Sequence, residues 1–136
     1  MRQLVWTFWR YVWAFPVTLL GLPFIPLTLL TGGGVRLERG VLEVYGGAAR
    51  FFLRHGLLIH AQAMCLGHII LGQERDSLEL ARDHEHVHVR QCERWGVFII
   101  PAYVLSSWWA WRSGKNFYYD NRFEREAYGW DNNPRS

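Results

Sequence analysis

The chain has 136 residues and a formal net charge of +3, a length suited to a single domain. Its fourteen arginines and one lysine are scattered without a basic run, which argues against a nucleic-acid-binding surface. The two cysteines, Cys65 and Cys92, are too few for a disulfide scaffold and lack C-x-x-C spacing. Buried thiols in a reducing compartment are therefore the simplest interpretation of them.

The N-terminal segment 1–34 is predicted to associate with a membrane. No charged side chain occurs in the twenty-five residues from Tyr11 to Val35, and such a run is long enough to cross about 30 Å of hydrocarbon. Three prolines interrupt the run, so three interpretations stay open: a kinked spanning helix, a helix that turns within one leaflet near Gly21, or a buried or cleaved segment. The eight tryptophans suit the headgroup zone of a bilayer, and the arginines suit anionic lipids.

The distribution of arginines predicts the orientation of this segment. Four follow the apolar run and two precede it: Arg36, Arg39, Arg50 and Arg54 after it, and Arg2 and Arg10 before it. By the positive-inside rule, the downstream part of the chain faces the cytoplasm.

Residues 35–45 are predicted to form a β-hairpin. Apolar and polar residues alternate on both sides of Arg39-Gly40, which is typical of two strands joined by a tight turn. Residues 48–63 predict either a short apolar helix or an irregular segment. The apolar run 66–71 predicts a short strand.

An amphipathic helix is predicted over residues 78–95. One buried stripe is expected to hold Leu78, Ala81, His88, Cys92 and Trp95, whereas Arg82, Asp83, Arg90, Glu93 and Arg94 suit water. Asp76 followed by Glu79 predicts a capping box, with Ser77 as an alternative cap, and Gly96 is placed to close the helix.

Within this helix lies the sequence His84-Glu85-x-x-His88. Two histidines four residues apart project from one helix face, so both imidazoles can reach one Zn²⁺. Glu85 lies at the edge of that face, where it can accept a proton from a metal-bound water without binding the metal. His86 points away from this face and is not expected to be a ligand.

A third ligand is expected from a second short helix near residues 121–128, with Asp120 or Asn121 as its N-cap. Glu124 and Glu126 are both candidates. They are two residues apart on a helix and point in nearly opposite directions, so only one can serve.

Between the two predicted metal-binding helices, the uncharged stretch 97–111 is broken by Pro101 and is too short to cross a bilayer upright. It predicts an interfacial or core helix. Residues 131–136 are predicted to form a flexible tail, which leaves residues 35–130 as the predicted catalytic domain.

His84-Glu85-x-x-His88, followed about three dozen residues later by a helical glutamate, resembles the gluzincin metallopeptidases. In a membrane branch of that group, the CAAX-processing type, the third ligand opens a Glu-x-x-Ala-Asp run. The sequence Glu124-Arg125-Glu126-Ala127-Tyr128 is similar in its glutamate and alanine, which favours Glu124, and departs from it at Tyr128.

The chain also resembles a group of small uncharacterised bacterial membrane-associated proteins over residues 35–130. The resemblance rests on the run 66–71, on His84-Glu85-x-x-His88 with Gln91, and on Asn121-x-Phe123-Glu124-x-Glu126-Ala127. It implies an α+β fold with a minimal zincin-like core, in which a hairpin and an edge strand pack on the two metal-binding helices. It also implies a location at the bacterial inner membrane.

In the proteases that this chain resembles, an edge strand just before the metal-binding helix pairs with the extended substrate. Gly67, His68, Ile69 and Ile70 are therefore the candidate substrate-binding residues. Gln91 is a candidate for orienting a ligand or the substrate.

The tyrosines at positions 103, 118, 119 and 128 are alternative candidates for stabilising an oxyanion.

The sequence predicts a membrane-associated zinc metallohydrolase, most simply a peptidase acting on a peptide or membrane-protein substrate. One alternative is a non-catalytic accessory subunit of a membrane complex, in which zinc only stabilises the fold. Another uses His55, His60 and His68 as ligands of a haem or pigment.

Overall fold

The computed structural model describes residues 1–56 and 61–129. They form an α+β fold, as predicted, in which helices pack around a four-stranded sheet of order β1-β2-β4-β3. His60 and the predicted tail 131–136 lie outside the described residues.

The apolar N-terminal segment forms two helices, α1 (Arg2–Gly21) and α2 (Phe24–Leu30). Pro16 lies inside α1 without ending it, and Pro23 stands at the break between the two helices. Among the described residues no single helix has the length and apolarity to cross a membrane, whereas α1 and α2 together, bent by 40°, meet that test by length and composition.

Helix α1 packs against the residues that follow the predicted membrane segment. Ala14 and Val17 are buried in a core cluster with Cys92, Ile99 and Phe123. Because the cluster draws residues from α1 and from the two predicted metal-binding helices, the N-terminal helix is part of the packed body.

Polar contacts fix the same helix. The guanidinium of Arg10 donates to both carboxylate oxygens of Glu93, at 3.0 and 2.8 Å. The indole of Trp13 donates to the carbonyl of Arg94 at 3.0 Å. The predicted exposure of Glu93 was wrong, because this carboxylate binds a cation that α1 supplies.

The predicted hairpin is confirmed as β1 (Gly34–Glu38) and β2 (Val41–Tyr45), which pair antiparallel. Arg39 and Gly40 have φ values of 52° and 77° and form the two-residue turn. Two positive φ angles in succession suit the right-handed twist of the flanking strands. Helix α3 (Gly47–His55) follows, so the helical interpretation of this region holds over those residues.

The run 66–71 is not the single edge strand that the sequence predicted. It spans the turn of a second hairpin, formed by β3 (Ala63–Leu66) and β4 (Ile69–Gly72), with Gly67 at φ 66° in that turn. Strand β4 pairs parallel with β2 on one side and antiparallel with β3 on the other. Among the described strands, the free edges therefore belong to β1 and β3, because both edges of β4 are occupied by neighbouring strands.

Helix α4 (Arg75–Trp95) carries the histidine motif and ends at Gly96, which has a φ of 59°, as predicted. The predicted capping box is wrong, because the N-cap is Glu74 and makes no side-chain cap hydrogen bond. Arg82, predicted to face water, instead donates two hydrogen bonds to the fully buried carboxylate of Glu43, at 2.9 and 3.0 Å.

After a short 3₁₀ turn, α5 (Ile99–Arg112) leads to α6 (Arg122–Ala127). Both α1 and α5 present large apolar side chains to the exterior, including Trp6, Trp9, Trp108, Trp109 and Trp111. The two helices therefore share an unusually apolar outer surface for a chain of this size.

Candidate metal centre

Side chains from α4 and α6 converge on one point. Nε2 of His84 lies 3.2 Å from Oε2 of Glu124, and Nε2 of His88 lies 3.1 Å from its Oε1. The donor atoms of the three residues all lie within 4.8 Å of one another, so they can hold a metal ion. The two imidazoles and the carboxylate that the sequence put forward as ligands are thus brought together.

The position of α6 depends on Asn121. Its side chain accepts the amide hydrogen of Phe123 at 2.8 Å, as the predicted N-cap should. Its amide nitrogen donates to the carbonyl of Tyr103 at 2.9 Å and to the hydroxyl of Ser107 at 2.7 Å. Because Asn121 is fully buried and fixes α6 to α5, it sets where Glu124 lies.

The structure distinguishes the two candidate glutamates. Glu126 accepts hydrogen bonds from Nε2 of Gln91 and from the guanidinium of Arg94, both at 3.0 Å. Its carboxylate is therefore engaged away from the histidines, and Glu124 is the carboxylate of the triad.

Gln91 is a buried residue of α4 that also contacts α6. Its Nε2 donates to the carbonyl of Phe123 at 3.0 Å, so its Oε1 faces Nδ1 of His88 at 2.8 Å. Nδ1 of His88 therefore carries a proton, so Nε2, which faces Glu124, is the nitrogen that can offer a lone pair to a metal ion once it gives up its own proton. Gln91 thus orients His88, as the sequence analysis proposed for it.

His84 lacks a comparable partner. Its Nδ1 is buried and has no hydrogen-bond partner among the described residues. The ring of Tyr128 packs against that of His84 with 4.2 Å between centroids.

Hydrogen bonds and opposite charges within the triad shift the pKa values of Glu124 and His88 in opposite directions. Burial raises the pKa of Glu124, but hydrogen bonds from His84 and His88 outweigh it and bring the pKa to about 2. Burial lowers the pKa of His88, but the hydrogen bond and charge of Glu124 outweigh it and raise the pKa to about 9. The carboxylate is ionised over the physiological range, as a metal ligand must be.

Glu85 lies next to the triad without joining it. The side chain is buried, and its Oε2 has no hydrogen-bond partner among the described residues. Burial raises its pKa, while the nearby His88 and His84 oppose that shift. A carboxylate with a raised pKa and a free oxygen is suited to accepting a proton.

A cavity of about 530 Å³ adjoins these groups. Glu85, His88 and Glu124 lie on its wall, together with Tyr103 and Tyr118. Tyr103 donates its hydroxyl hydrogen to Oε1 of Glu124 at 2.9 Å. Two of the four candidate tyrosines line the cavity: Tyr103 donates to Glu124, whereas Tyr118 shares a side-chain hydrogen bond with Tyr128.

The predicted substrate-binding residues do not lie where the sequence placed them. Ile69 and Ile70 are fully buried in the central strand β4, and His68 and Gly67 form the preceding turn. Nε2 of His68 donates to Glu93 at 3.1 Å, and its ring stacks on Tyr11 with 3.9 Å between centroids. His68 therefore links the sheet to α1 through Tyr11. Strand β4 has no edge left for a substrate, because both of its edges are paired with other strands.

Strand β3 is the feature that the sequence analysis missed, since all its residues line the cavity. A glycine at position 67 between two apolar runs is the signal that could have indicated the turn.

The described histidines outside the triad, His55, His68 and His86, lie apart from it. His86 is buried on a different side of α4, where burial and the positive charge of Arg39 lower its pKa. His55 ends α3 and packs on Phe51 with 4.9 Å between ring centroids.

No family model, curated protein or solved structure matches the chain. The class of the protein is therefore stated from its own residues: an α+β protein with a candidate metal centre built from two histidines and a glutamate.

Proposed function

We propose that the protein is a membrane-associated, zinc-dependent metallohydrolase of gluzincin-like type that cleaves peptide bonds. The observation that carries the proposal is the convergence of His84, His88 and Glu124 beside the buried, incompletely bonded carboxylate of Glu85.

The donor set fits zinc. Two imidazole nitrogens and one carboxylate oxygen are a recurrent ligand set of catalytic zinc, in which the fourth position is left for water. When bound, zinc would lower the pKa of that water and polarise a substrate carbonyl. The alternative of a zinc-stabilised accessory subunit requires a fourth protein ligand, and the group found among the described residues has three.

Each nearby residue has a role in the proposed hydrolysis. Glu85 accepts the proton of the attacking water and returns it to the leaving amine. Gln91 keeps His88 in the Nδ1-protonated form, and Tyr103 orients Glu124. Tyr118 lines the cavity and can donate to the oxyanion that develops at the substrate carbonyl.

The free edge of β3 supports a peptide as substrate. It lines the same cavity as Glu85 and His88, and a strand edge offers alternating amide donors and carbonyl acceptors to an extended chain. This edge, Ala63–Leu66, replaces residues 67–71 as the proposed substrate-binding strand.

The outer surface supports association with lipids. Tryptophans and aliphatic side chains of α1 and α5 are exposed, and the bent pair α1–α2 has the length and apolarity of a broken span or a re-entrant loop. Exposed tryptophans on an apolar surface are typical of residues at a membrane interface. The proposed location is the bacterial inner membrane with the metal centre on the cytoplasmic side, and the proposed partners are lipids and a peptide or membrane-protein substrate.

The test compares wild type with Glu85→Gln in lipid nanodiscs. Bound metal is measured by elemental analysis, and cleavage is measured with a mixture of peptides followed by mass spectrometry. Wild type is expected to bind one zinc per chain and to cleave, and Glu85→Gln to bind zinc and lose at least about 100-fold in rate. Asp83→Asn is the matched control, since Asp83 is a solvent-exposed carboxylate on the same helix.

A Glu85→Gln protein that retains zinc and cleaves as fast as wild type would rule out the mechanism. A wild-type protein that binds no metal would rule out the class.

A further inference from the structure

The cavity beside the candidate metal centre draws most of its apolar lining from three elements, α1, β3 and α5. Val17 and Leu20 come from α1, residues 63–66 from β3, and Ile100 and Val104 from α5. Its polar groups are concentrated where α4 and α6 supply Glu85, His88 and Glu124, and the rest of the lining is mainly apolar. One end of the cavity thus holds Glu85, His88 and Glu124. The rest of it, between α1, β3 and α5, forms a large apolar compartment.

The apolar compartment opens to the exterior. Leu20 and Val104 line it and yet keep 51% and 60% of their surface exposed. They belong to α1 and α5, whose other exposed side chains are largely apolar. Among the described residues that line the cavity, the charged ones come from α4 and α6, so an apolar group can enter between α1 and α5 without meeting them.

Helix α1 is a fixed wall of this compartment. Thr18, between Val17 and Leu20 in sequence, accepts the amide hydrogen of His68 at 3.0 Å. Gly21 lies so close to Ile69 that a Cβ there would approach its side chain to 3.0 Å. Contacts on both sides of Leu20 thus tie this end of α1 to the hairpin β3–β4.

We propose that α1 is part of the substrate-binding site, and that the compartment between α1, β3 and α5 binds a bulky apolar side chain of a peptide substrate next to the bond that is cleaved. Leu20 and Val104 determine this selectivity. The inference rests on the proposed function and adds the substrate class and a role for the N-terminal helix beyond attachment to a membrane.

The geometry favours a peptide over a lipid chain as occupant. The edge of β3 that no described strand pairs with lines the cavity and can hold the backbone of an extended peptide, whereas an acyl chain has no donor or acceptor for it. A peptide on this edge turns alternate side chains to opposite faces, so a side chain beside the scissile bond can enter the apolar compartment.

The test narrows the compartment and measures selectivity. Leu20→Trp and Val104→Trp place a large ring in it, and Leu19→Trp and Leu105→Trp are matched controls on neighbouring exposed positions that do not line it. Full-length protein in nanodiscs with zinc is assayed on two peptides that differ only in carrying phenylalanine or alanine beside the cleaved bond.

Wild type is expected to prefer the phenylalanine peptide by at least about 10-fold in kcat/KM, since burial of several methylene equivalents is worth that much discrimination. Leu20→Trp and Val104→Trp are expected to remove this preference, because kcat/KM falls more for the phenylalanine peptide than for the alanine peptide. The controls are expected to match wild type on both peptides.

A binding measurement separates this inference from the proposed function. The phenylalanine peptide is labelled with a fluorophore and titrated with the Glu85→Gln protein. The titration is repeated with double variants that carry Glu85→Gln and one of the tryptophan substitutions. Binding that weakens at least about 10-fold with Leu20→Trp and not with Leu19→Trp supports the compartment even if no peptide is cleaved.

Three results would overturn the proposal. One is cleavage without preference between the two peptides, which leaves the hydrolase intact. Another is equal binding by all variants. The third is tight binding of a fluorescent fatty acid that Leu20→Trp abolishes while the peptide does not bind, which would assign the compartment to a lipid chain.

Discussion

Gln91 accepts a hydrogen bond from Nδ1 of His88 at 2.8 Å while its amide nitrogen donates to the carbonyl of Phe123 on α6. One buried amide therefore fixes a proton on Nδ1 of a candidate metal ligand and ties α4 to α6.

We expect Gln91→Met to weaken zinc binding by about 10- to 100-fold, because loss of such an orienting partner has that typical effect on metal affinity. Methionine is similar in size but cannot accept the hydrogen of His88. Affinity is measured by competition with a fluorescent chelator. The control is Arg90→Met at the neighbouring exposed position, and equal affinity of the two variants would contradict the assigned role.

The two glutamates of α6 give a second prediction. Glu124→Ala is expected to lose bound zinc, because it removes one of three donor groups. Glu126→Ala removes a carboxylate that contacts Gln91 and Arg94, so it is expected to retain zinc with less than about 10-fold loss of affinity.

Elemental analysis after gel filtration provides the measurement, and circular dichroism checks that both variants fold. Zinc retained by Glu124→Ala and lost from Glu126→Ala would reverse the assignment.

A third prediction concerns Glu43, a fully buried carboxylate that binds Arg82 and Arg36. Burial raises its pKa, but the hydrogen bonds from the two arginines outweigh it and lower the pKa below the usual value. A lowered pKa in the folded state means that the unfolded chain binds the proton more readily. The stabilisation is therefore fully present above the unfolded pKa of about 4.3 and is lost as pH falls through the folded pKa.

Glu43→Gln is expected to cost about 3 kcal/mol at pH 7, because it leaves two arginines without their buried partner. It is also expected to flatten the decline in thermal stability on acidification below pH 4.3, which is measured by unfolding scans from pH 7 to pH 3. Glu38→Gln, at a half-exposed carboxylate 3.9 Å from Arg36, is the control with little expected effect. Parallel pH profiles for wild type and Glu43→Gln would show that this carboxylate does not carry the acid sensitivity.

Local chemistry was sufficient to predict several parts of this fold. The turn at Arg39-Gly40, the end of α4 at Gly96 and the cap of α6 at Asn121 each depend on neighbouring residues, and all three are observed. The helical spacing of His84 and His88 likewise places both imidazoles on one face.

The errors concern contacts between residues far apart in the chain. Periodicity marked Arg82 and Glu93 as exposed, but each meets an opposite charge supplied by another element. The run 66–71 reads as one strand because residues on both sides of the turn at Gly67 are apolar. A pattern along one segment does not reveal which neighbour will cover it, and that neighbour decides whether a strand is an edge.

The last prediction separates the two tyrosines of the cavity. Tyr103 donates to the carboxylate of Glu124, whereas Tyr118 lines the same cavity as Glu85, shares a side-chain hydrogen bond with Tyr128 and is assigned to the developing oxyanion. Tyr118→Phe is expected to lower kcat by about 100-fold with KM and zinc affinity nearly unchanged, because the hydrogen bond forms only as charge develops in the transition state. Tyr103→Phe is expected to weaken zinc binding instead, because Glu124 loses a hydrogen bond that orients it.

The pair is informative because each substitution removes one phenolic hydroxyl group from the same cavity. Steady-state kinetics and chelator competition give kcat and zinc affinity for each variant. The assignment requires that Tyr118→Phe lowers mainly kcat and that Tyr103→Phe lowers mainly zinc affinity. If Tyr118→Phe lowers zinc affinity and leaves kcat intact, its hydroxyl supports the metal centre and another donor must face the oxyanion. If both variants lose kcat equally at full zinc occupancy, the hydrogen bond from Tyr103 to Glu124 acts in the transition state as well.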